Sequence, residues 1–216
     1  MVLRRGFRSV PARDVLDRTG RLVHVTFDDA FRTVLDTLPV LERLGVDATV
    51  FACTAYANKG RPLLIRELVG RAKGYEHELA TMTWNELRAA AERGVEIGSH
   101  TVDHAHLRKL SDSELRRQLV ESKEHLEDEL GRRCRYVAYP FGESDDRVHA
   151  AARDAGYDAA FALRAKPGSA LARYAVPRVD IYRRDGRVRF LLKASGVHGQ
   201  LTRLGARFRV RGQGEV

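Results

Sequence analysis

What this 216-residue chain has little of narrows its reading first. It holds two cysteines, Cys53 and Cys134, far apart and outside any metal or redox spacing. Two thiols cannot staple a small secreted module, so both are expected as reduced core residues. No apolar run approaches the roughly 18 residues of a membrane span. The stretch from Met1 to Val10 carries arginines but no following apolar segment. It does not read as a signal peptide, and the expected location is cytoplasmic, with membrane association at most at a surface. Prolines number six, and no Pro/Gly/Ser-rich linker divides the chain, so one sizeable domain is expected. Hydrophobic residues make up 44%, enough for an ordinary core, which excludes disorder as the default.

Charge is abundant and uneven. The net charge is +9, and residues 178–216 hold ten Arg/Lys against three acids. The plain reading is a solvated, arginine-rich surface. The sharper one is contact with anionic lipid, an anionic glycan or nucleic acid, with weak membrane contact expected through short pieces, because Gly196, Gly199 and Gly205 oppose one long helix. Of the three, nucleic acid is not expected as a partner.

Strand-like runs alternate with helical ones, which predicts a parallel α/β fold. Leu22 to Phe27, Ala48 to Cys53, Val95 to Ser99, Tyr136 to Tyr139, Ala159 to Leu163 and Ala175 to Tyr182 read as strands. Residues 31–44 have helical spacing broken by Pro39, which predicts a kink or two shorter pieces. Residues 54–80 read as an insertion with a short helix around Leu63 to Ala72. Thr83 with Glu86, and Ser111 with Glu114, read as capping boxes opening two helices that stop at Gly94 and Gly131. A further helix is expected from about Asp145 to Ala155, with Gly156 as its cap.

Chemistry-bearing residues fall at the carboxyl ends of these strands, where parallel folds gather their sites. The first strand ends on Asp28 and Asp29. The third leads into Ser-His-Thr-Val-Asp-His, placing His100 and His104 four residues apart, as on one face of a helical turn. The fourth precedes Pro140-Phe-Gly. A carboxylate and two neutral imidazoles form a three-ligand set that leaves room for water on a divalent metal. The second carboxylate is then free to take a proton from that water. This pattern describes a metal-dependent hydrolase. Asp103 is read as a partner orienting an imidazole.

Thr-Phe-Asp-Asp (26–29), Ser-His-Thr-Val-Asp-His (99–104) and Tyr-Pro-Phe-Gly (139–142), in this order, resemble the polysaccharide deacetylases, the NodB-homology domains of carbohydrate esterase family four. The resemblance implies a single-domain, distorted (β/α) barrel over residues 22–182, with an extension at 1–21 and a basic segment at 183–216. It implies removal of an N- or O-linked acetyl group from a glycan or sugar by metal-activated water. Asp28 becomes the base, and Asp29, His100 and His104 the metal ligands. Zn2+ is the expected ion, with Co2+, Ni2+ or Mn2+ as substitutes. Tyr139, Pro140 and Phe141 become a wall of the substrate groove, with the Phe141 backbone N–H as an oxyanion donor.

Three departures from the family pattern stand out. Ala30 replaces the usual Gly after the Asp pair. Ala138 stands where an Arg usually tethers the base, so Arg178 is the candidate tether from another strand. The late Leu-x-His motif that supplies a general acid has no clean match, and His198 is the only late histidine. The Gly156-to-Phe161 pattern followed by Pro177-Arg178 resembles the branch acting on exopolysaccharides. Two other readings stand beside the leading one: a deacetylase or deformylase of a lipid-linked sugar at the cytoplasmic membrane face, and a catalytically inactive glycan-binding module.

Overall fold

The computed structural model describes residues 3, 6–17, 19–70, 72–163, 171–182 and 184–194. The chain divides into two compact units, residues 8–178 and the segments on either side of them.

The larger unit opens with β1 (Arg8–Ser9), α1 (Ala12–Asp17) and β2 (Leu22–Val23), with β1 and β2 paired in a small parallel sheet. A six-stranded parallel sheet follows: β3 (Val25–Phe27), β4 (Ala48–Ala52), β5 (Glu96–Ser99), β6 (Tyr136–Ala138), β7 (Ala159–Ala162) and β8 (Val176–Pro177). Each strand pairs with the next in sequence. Between them lie α2 (Leu38–Arg43), α3 (Thr54–Ala57), α4 (Arg66–Val69), α5 (Trp84–Glu92), α6 (Asp112–Leu130) and α7 (Asp146–Asp154). This is the expected α/β architecture, a parallel sheet curled into an incomplete barrel with helices around it.

Alternation along the strands sorts the side chains into two layers. Val50, Ala52, Ile97, Val137, Ala160 and Ala162 face the helices and pack with Leu87, Leu115 and Leu119. Phe51, Tyr136, Ala138, Ala159 and Phe161 fill the inside of the curl. There the rings of Phe51 and Phe161 lie 5.6 Å apart, and those of Tyr136 and Phe161 5.9 Å apart. Gly98 on β5 belongs to this inner layer. A Cβ there would sit 2.5 Å from the Phe51 ring, so the large aromatic of one strand requires the missing side chain of the next.

The local signals act largely as expected. Thr83 and Glu86 form a reciprocal capping box at the start of α5. Pro39 falls in the first turn of α2, and a separate 3-10 turn covers Arg32–Asp36, so the broken helix is two pieces. Both cysteines are buried and unpaired with each other. Two expectations need correcting. Ser111 caps α6, but the Glu114 carboxylate is taken by Arg117 one turn on, so the second box is only half made. The strand expected over 175–182 shortens to Val176–Pro177, with the Arg178 N–H making a last bond to the Ala162 carbonyl at 2.9 Å.

In the smaller unit, α8 (Arg187–Ala194) buries the Lys193 ammonium, which donates to Asp185 Oδ2 at 2.7 Å and to the Asp180 carbonyl at 2.9 Å. His198 and the arginines at 203, 207, 209 and 211 lie outside the described residues. No described helix is long and apolar enough to cross a membrane.

Candidate active site

Strand parity places the first carboxylate. Thr26 and Asp28, two residues apart, share the inner face of β3. Arg178, at the end of β8, reaches both. Its two terminal nitrogens donate to Asp28 Oδ1 at 2.6 Å and Oδ2 at 2.8 Å, and one also donates to Thr26 Oγ1 at 3.1 Å. The guanidinium lies over the Phe51 ring at 5.6 Å and is only 10% exposed. This fork across both oxygens fixes the plane of the carboxylate. Burial alone would raise the Asp28 pKa, but His100, Arg178 and His104 together hold it below the usual carboxylate range. Because β3 and β8 are the two edges of the sheet, the contact also shows how far the sheet curls.

Asp29 has the opposite surroundings. It leaves the strand at φ 67°, which turns its side chain away from that of Asp28. His100 Nε2 lies 3.5 Å and His104 Nε2 3.3 Å from Asp29 Oδ1, which is buried and has no hydrogen-bond partner. His100 Nδ1 contacts the Ala138 carbonyl at 2.7 Å. A carbonyl can only accept, so Nδ1 carries a proton and the Nε2 edge of the ring faces Asp29. Burial pushes Asp29 up to about 6, with Asp28 adding to the rise against His100. Burial, with His100, pushes His104 down to about 3, which keeps it neutral. The three ligand atoms lie within 4.8 Å of one another. Two imidazole nitrogens converging on a buried carboxylate oxygen that has no hydrogen-bond partner make a good cation site. Among the described residues this is the one cluster with metal-ligand spacing.

The histidines do not converge by sharing a helix face, as their spacing suggested. They sit in a turn, with Thr101 at φ 71° and His104 at φ 64°. Asp103 does not orient an imidazole either: its Oδ1 accepts from Gln118, and the carbonyl of Ala138 takes the His100 proton instead. Phe141, at φ 60°, lies edge-on to His104, with ring centres 4.6 Å apart. Its other contact is His106, stacked at 3.8 Å and nearly parallel. Pro140 and Tyr139 are buried beside it, and the Tyr139 hydroxyl donates to the Tyr174 carbonyl. His106 also faces Glu67 of α4 at 3.4 Å, so the 54–80 insertion reaches the rim of this cluster.

The structure thus brings together Asp28, Asp29, His100, His104, Phe141 and Arg178. His198 is outside the described residues. Two participants had no distinct signal. His106 carried only its place beside the pair, and Thr101 is an ordinary residue type in an unusual conformation.

The chain has known relatives. A family profile for polysaccharide deacetylases matches residues 16–160. YxkH of Bacillus subtilis (strain 168), assigned by name to the polysaccharide deacetylases, is 27% identical over 165 residues, covering 74% of this chain and 52% of YxkH. The chain therefore spans about half the length of that curated relative. Similar folds include the Streptococcus pyogenes deacetylase PplD solved with acetate, with TM-score 0.69, 19% identity and coverage of 88% of this chain and 81% of that one. IcaB from Ammonifex degensii gives TM-score 0.70 and 22% identity, with 89% and 84% covered. The family match spans well over half of the sequence and includes both the Asp pair and the His pair, and the chain belongs to the polysaccharide deacetylase family.

Proposed function

We propose that this chain removes an acetyl group from an N-acetylated glycan or sugar, with Asp28 as general base and a divalent metal on Asp29, His100 and His104. One observation carries the reading. Two adjacent carboxylates end one strand in different settings: Asp28 accepts both arms of the Arg178 guanidinium, while Asp29 Oδ1 lies buried and unpartnered at 3.5 Å and 3.3 Å from the two imidazole nitrogens, its pKa raised by burial. Environments that push paired carboxyls apart divide them into different roles. The mixed nitrogen and oxygen donor set suits Zn2+, and also Co2+, Ni2+ or Mn2+. Such an ion would polarise the acyl oxygen and acidify water in the site.

The chain's own residues supply the rest. Asp28 is ionised at neutral pH and accepts the water proton on a carboxylate lone pair not used by Arg178. Arg178 keeps that carboxylate from rotating toward the metal ligands. Phe141, fixed between two imidazoles, forms one wall of the groove with Tyr139 and Pro140. Its backbone N–H is the donor proposed for the oxyanion. The catalytic domain is proposed as residues 22–182. The test is metal stoichiometry on purified protein: wild type should hold one equivalent, and His104→Ala should lose most of it at matched concentration. Equal stoichiometry in wild type and in variants of all three ligands would refute the assignment.

A second reading concerns where the substrate lies. On α8, Val188 and Leu192 are exposed one turn apart, beside Arg187 and Arg189. An apolar pair among arginines suits the surface of an anionic membrane, and hence a lipid-linked sugar. Binding to phosphatidylglycerol vesicles should exceed binding to phosphatidylcholine vesicles and fall as salt rises. Equal binding to both would remove this reading.

A further inference from the structure

The turn between the two histidines is built from side chains rather than from backbone ladders. Residues 101–104 present four consecutive N–H groups. Thr101 N–H donates to Ser99 Oγ at 3.0 Å, and His104 N–H donates to Thr101 Oγ1 at 3.2 Å. Val102 and Asp103 N–H both donate to Gln118 Oε1, at 3.0 and 3.4 Å. The other half of the same amide, Gln118 Nε2, donates to Asp103 Oδ1 at 2.8 Å. Gln118 is 1% exposed and projects from the face of α6 that otherwise buries Leu115, Leu119 and Leu126. A buried amide with this many partners is costly to leave unsatisfied, and apolar packing would not need it.

A second contact from α6 lies one turn further along. Ser99 Oγ meets Ser122 Oγ at 2.7 Å, and Ser122 Oγ donates to the Gln118 carbonyl at 2.7 Å. With Ser122 donating to that carbonyl, Ser99 must donate to Ser122, and a directed chain runs from Thr101 N–H into the helix. On the opposite side the carbonyls of Thr101 and Val102 accept from Thr54 and Ala55 N–H. The turn is thus gripped from both sides, and two of its residues are held in the left-handed region that non-glycine residues avoid.

We infer that Gln118 is a positioning residue for the histidine pair, its buried amide holding the 100–104 turn in the conformation that aims both Nε2 atoms at Asp29. The inference rests on the proposed ligand set. Outer partners that orient metal ligands are worth about 10- to 100-fold in metal affinity. Gln118→Leu should weaken Zn2+ binding by about that factor, measured by competition with a chromophoric chelator. Zn2+ should also raise the melting temperature of this variant less than it raises that of wild type. A residue that merely stabilised the fold would lower both melting temperatures together and leave the metal-induced rise intact.

A polarity exchange makes the test independent of packing loss. Gln118→Glu keeps the acceptor for Val102 and Asp103 N–H but sets an oxygen against Asp103 Oδ1. It should weaken Zn2+ binding, and adding Asp103→Asn should restore it by reversing the donor. Recovery in the double variant supports the role even where Gln118→Leu does not fold. Wild-type affinity in folded Gln118→Leu or Gln118→Glu overturns the inference. Failure of the wild-type protein itself to bind Zn2+ would instead overturn the ligand assignment beneath it.

Discussion

The two ends of the six-stranded sheet handle backbone strain differently. At the amino ends of the strands, the helices stop on glycines: Gly131 takes φ 62° after α6, and Gly156 takes φ 81° after α7. At the carboxyl ends, besides Gly142 at φ 65°, the left-handed positions are Asp29, Ala30, Thr101, His104 and Phe141, every positive-φ residue other than glycine among those described. One end meets the need for left-handed backbone with the residue that adopts it freely. The other uses side chains it cannot do without and holds them there by hydrogen bonds and packing. On the proposed function the first end serves stability and the second serves chemistry, so substitutions at the two ends should separate these properties.

The largest separation is expected at Asp28. Asp28→Asn should lower turnover by about 10²- to 10⁴-fold while leaving metal content near wild type. Loss of metal in that variant would mean that the two carboxylates carry each other's roles. A smaller effect is expected at Arg178. Arg178→Lys keeps the charge but loses the fork, and should lower kcat/KM by about 10- to 100-fold with metal stoichiometry unchanged. A proportional fall in bound metal would instead place Arg178 among the groups that build the metal site. The smallest effects probe the backbone itself. A Cβ on Gly131 would meet nothing within 4 Å, so Gly131→Ala isolates the left-handed penalty. It should cost about 1 kcal/mol. That is about 2–4 °C in Tm for a chain of this size, with activity unchanged. At the other end, Ala30→Gly relieves a similar strain but gives up a buried methyl and adds unfolded-state freedom, so its effect on stability should be near zero. A stability gain of Ala30→Gly equal to the Gly131→Ala loss would show that the Ala30 methyl contributes nothing to packing.

Local signals carried most of the fold. The Thr83 box, the Pro39 break and the alternation of strands and helices are properties of neighbouring residues, and each acts over a few positions. The site was legible as a set of residue types at strand ends, because parallel topology gathers those ends without any need to know distances. Its geometry was not legible. The spacing of His100 and His104 suits a helical turn equally well, and contacts from elsewhere, among them Ser99 and Gln118 and the N–H groups of Thr54 and Ala55, hold the observed turn. Arg178 could be suspected from the lost Arg at position 138, yet its contact with Asp28 spans 150 residues of sequence and depends on the curl of the whole sheet. Glu114 shows the reverse case: a valid local motif lost to an arginine one turn away.

The order of the strands also sets a timetable. Each strand of the large sheet pairs with its predecessor, so the sheet can be laid down in the order in which the ribosome delivers it. The last partner to arrive is Arg178, and it binds a carboxylate made 150 residues earlier, between two edge strands that share no backbone ladder. A nascent chain ending before this residue contains all six strands of the sheet, both histidines and both carboxylates, and still leaves Asp28 without its clasp. If Arg178 has the role proposed for it, a chain released before it should fold much of its barrel yet lose activity.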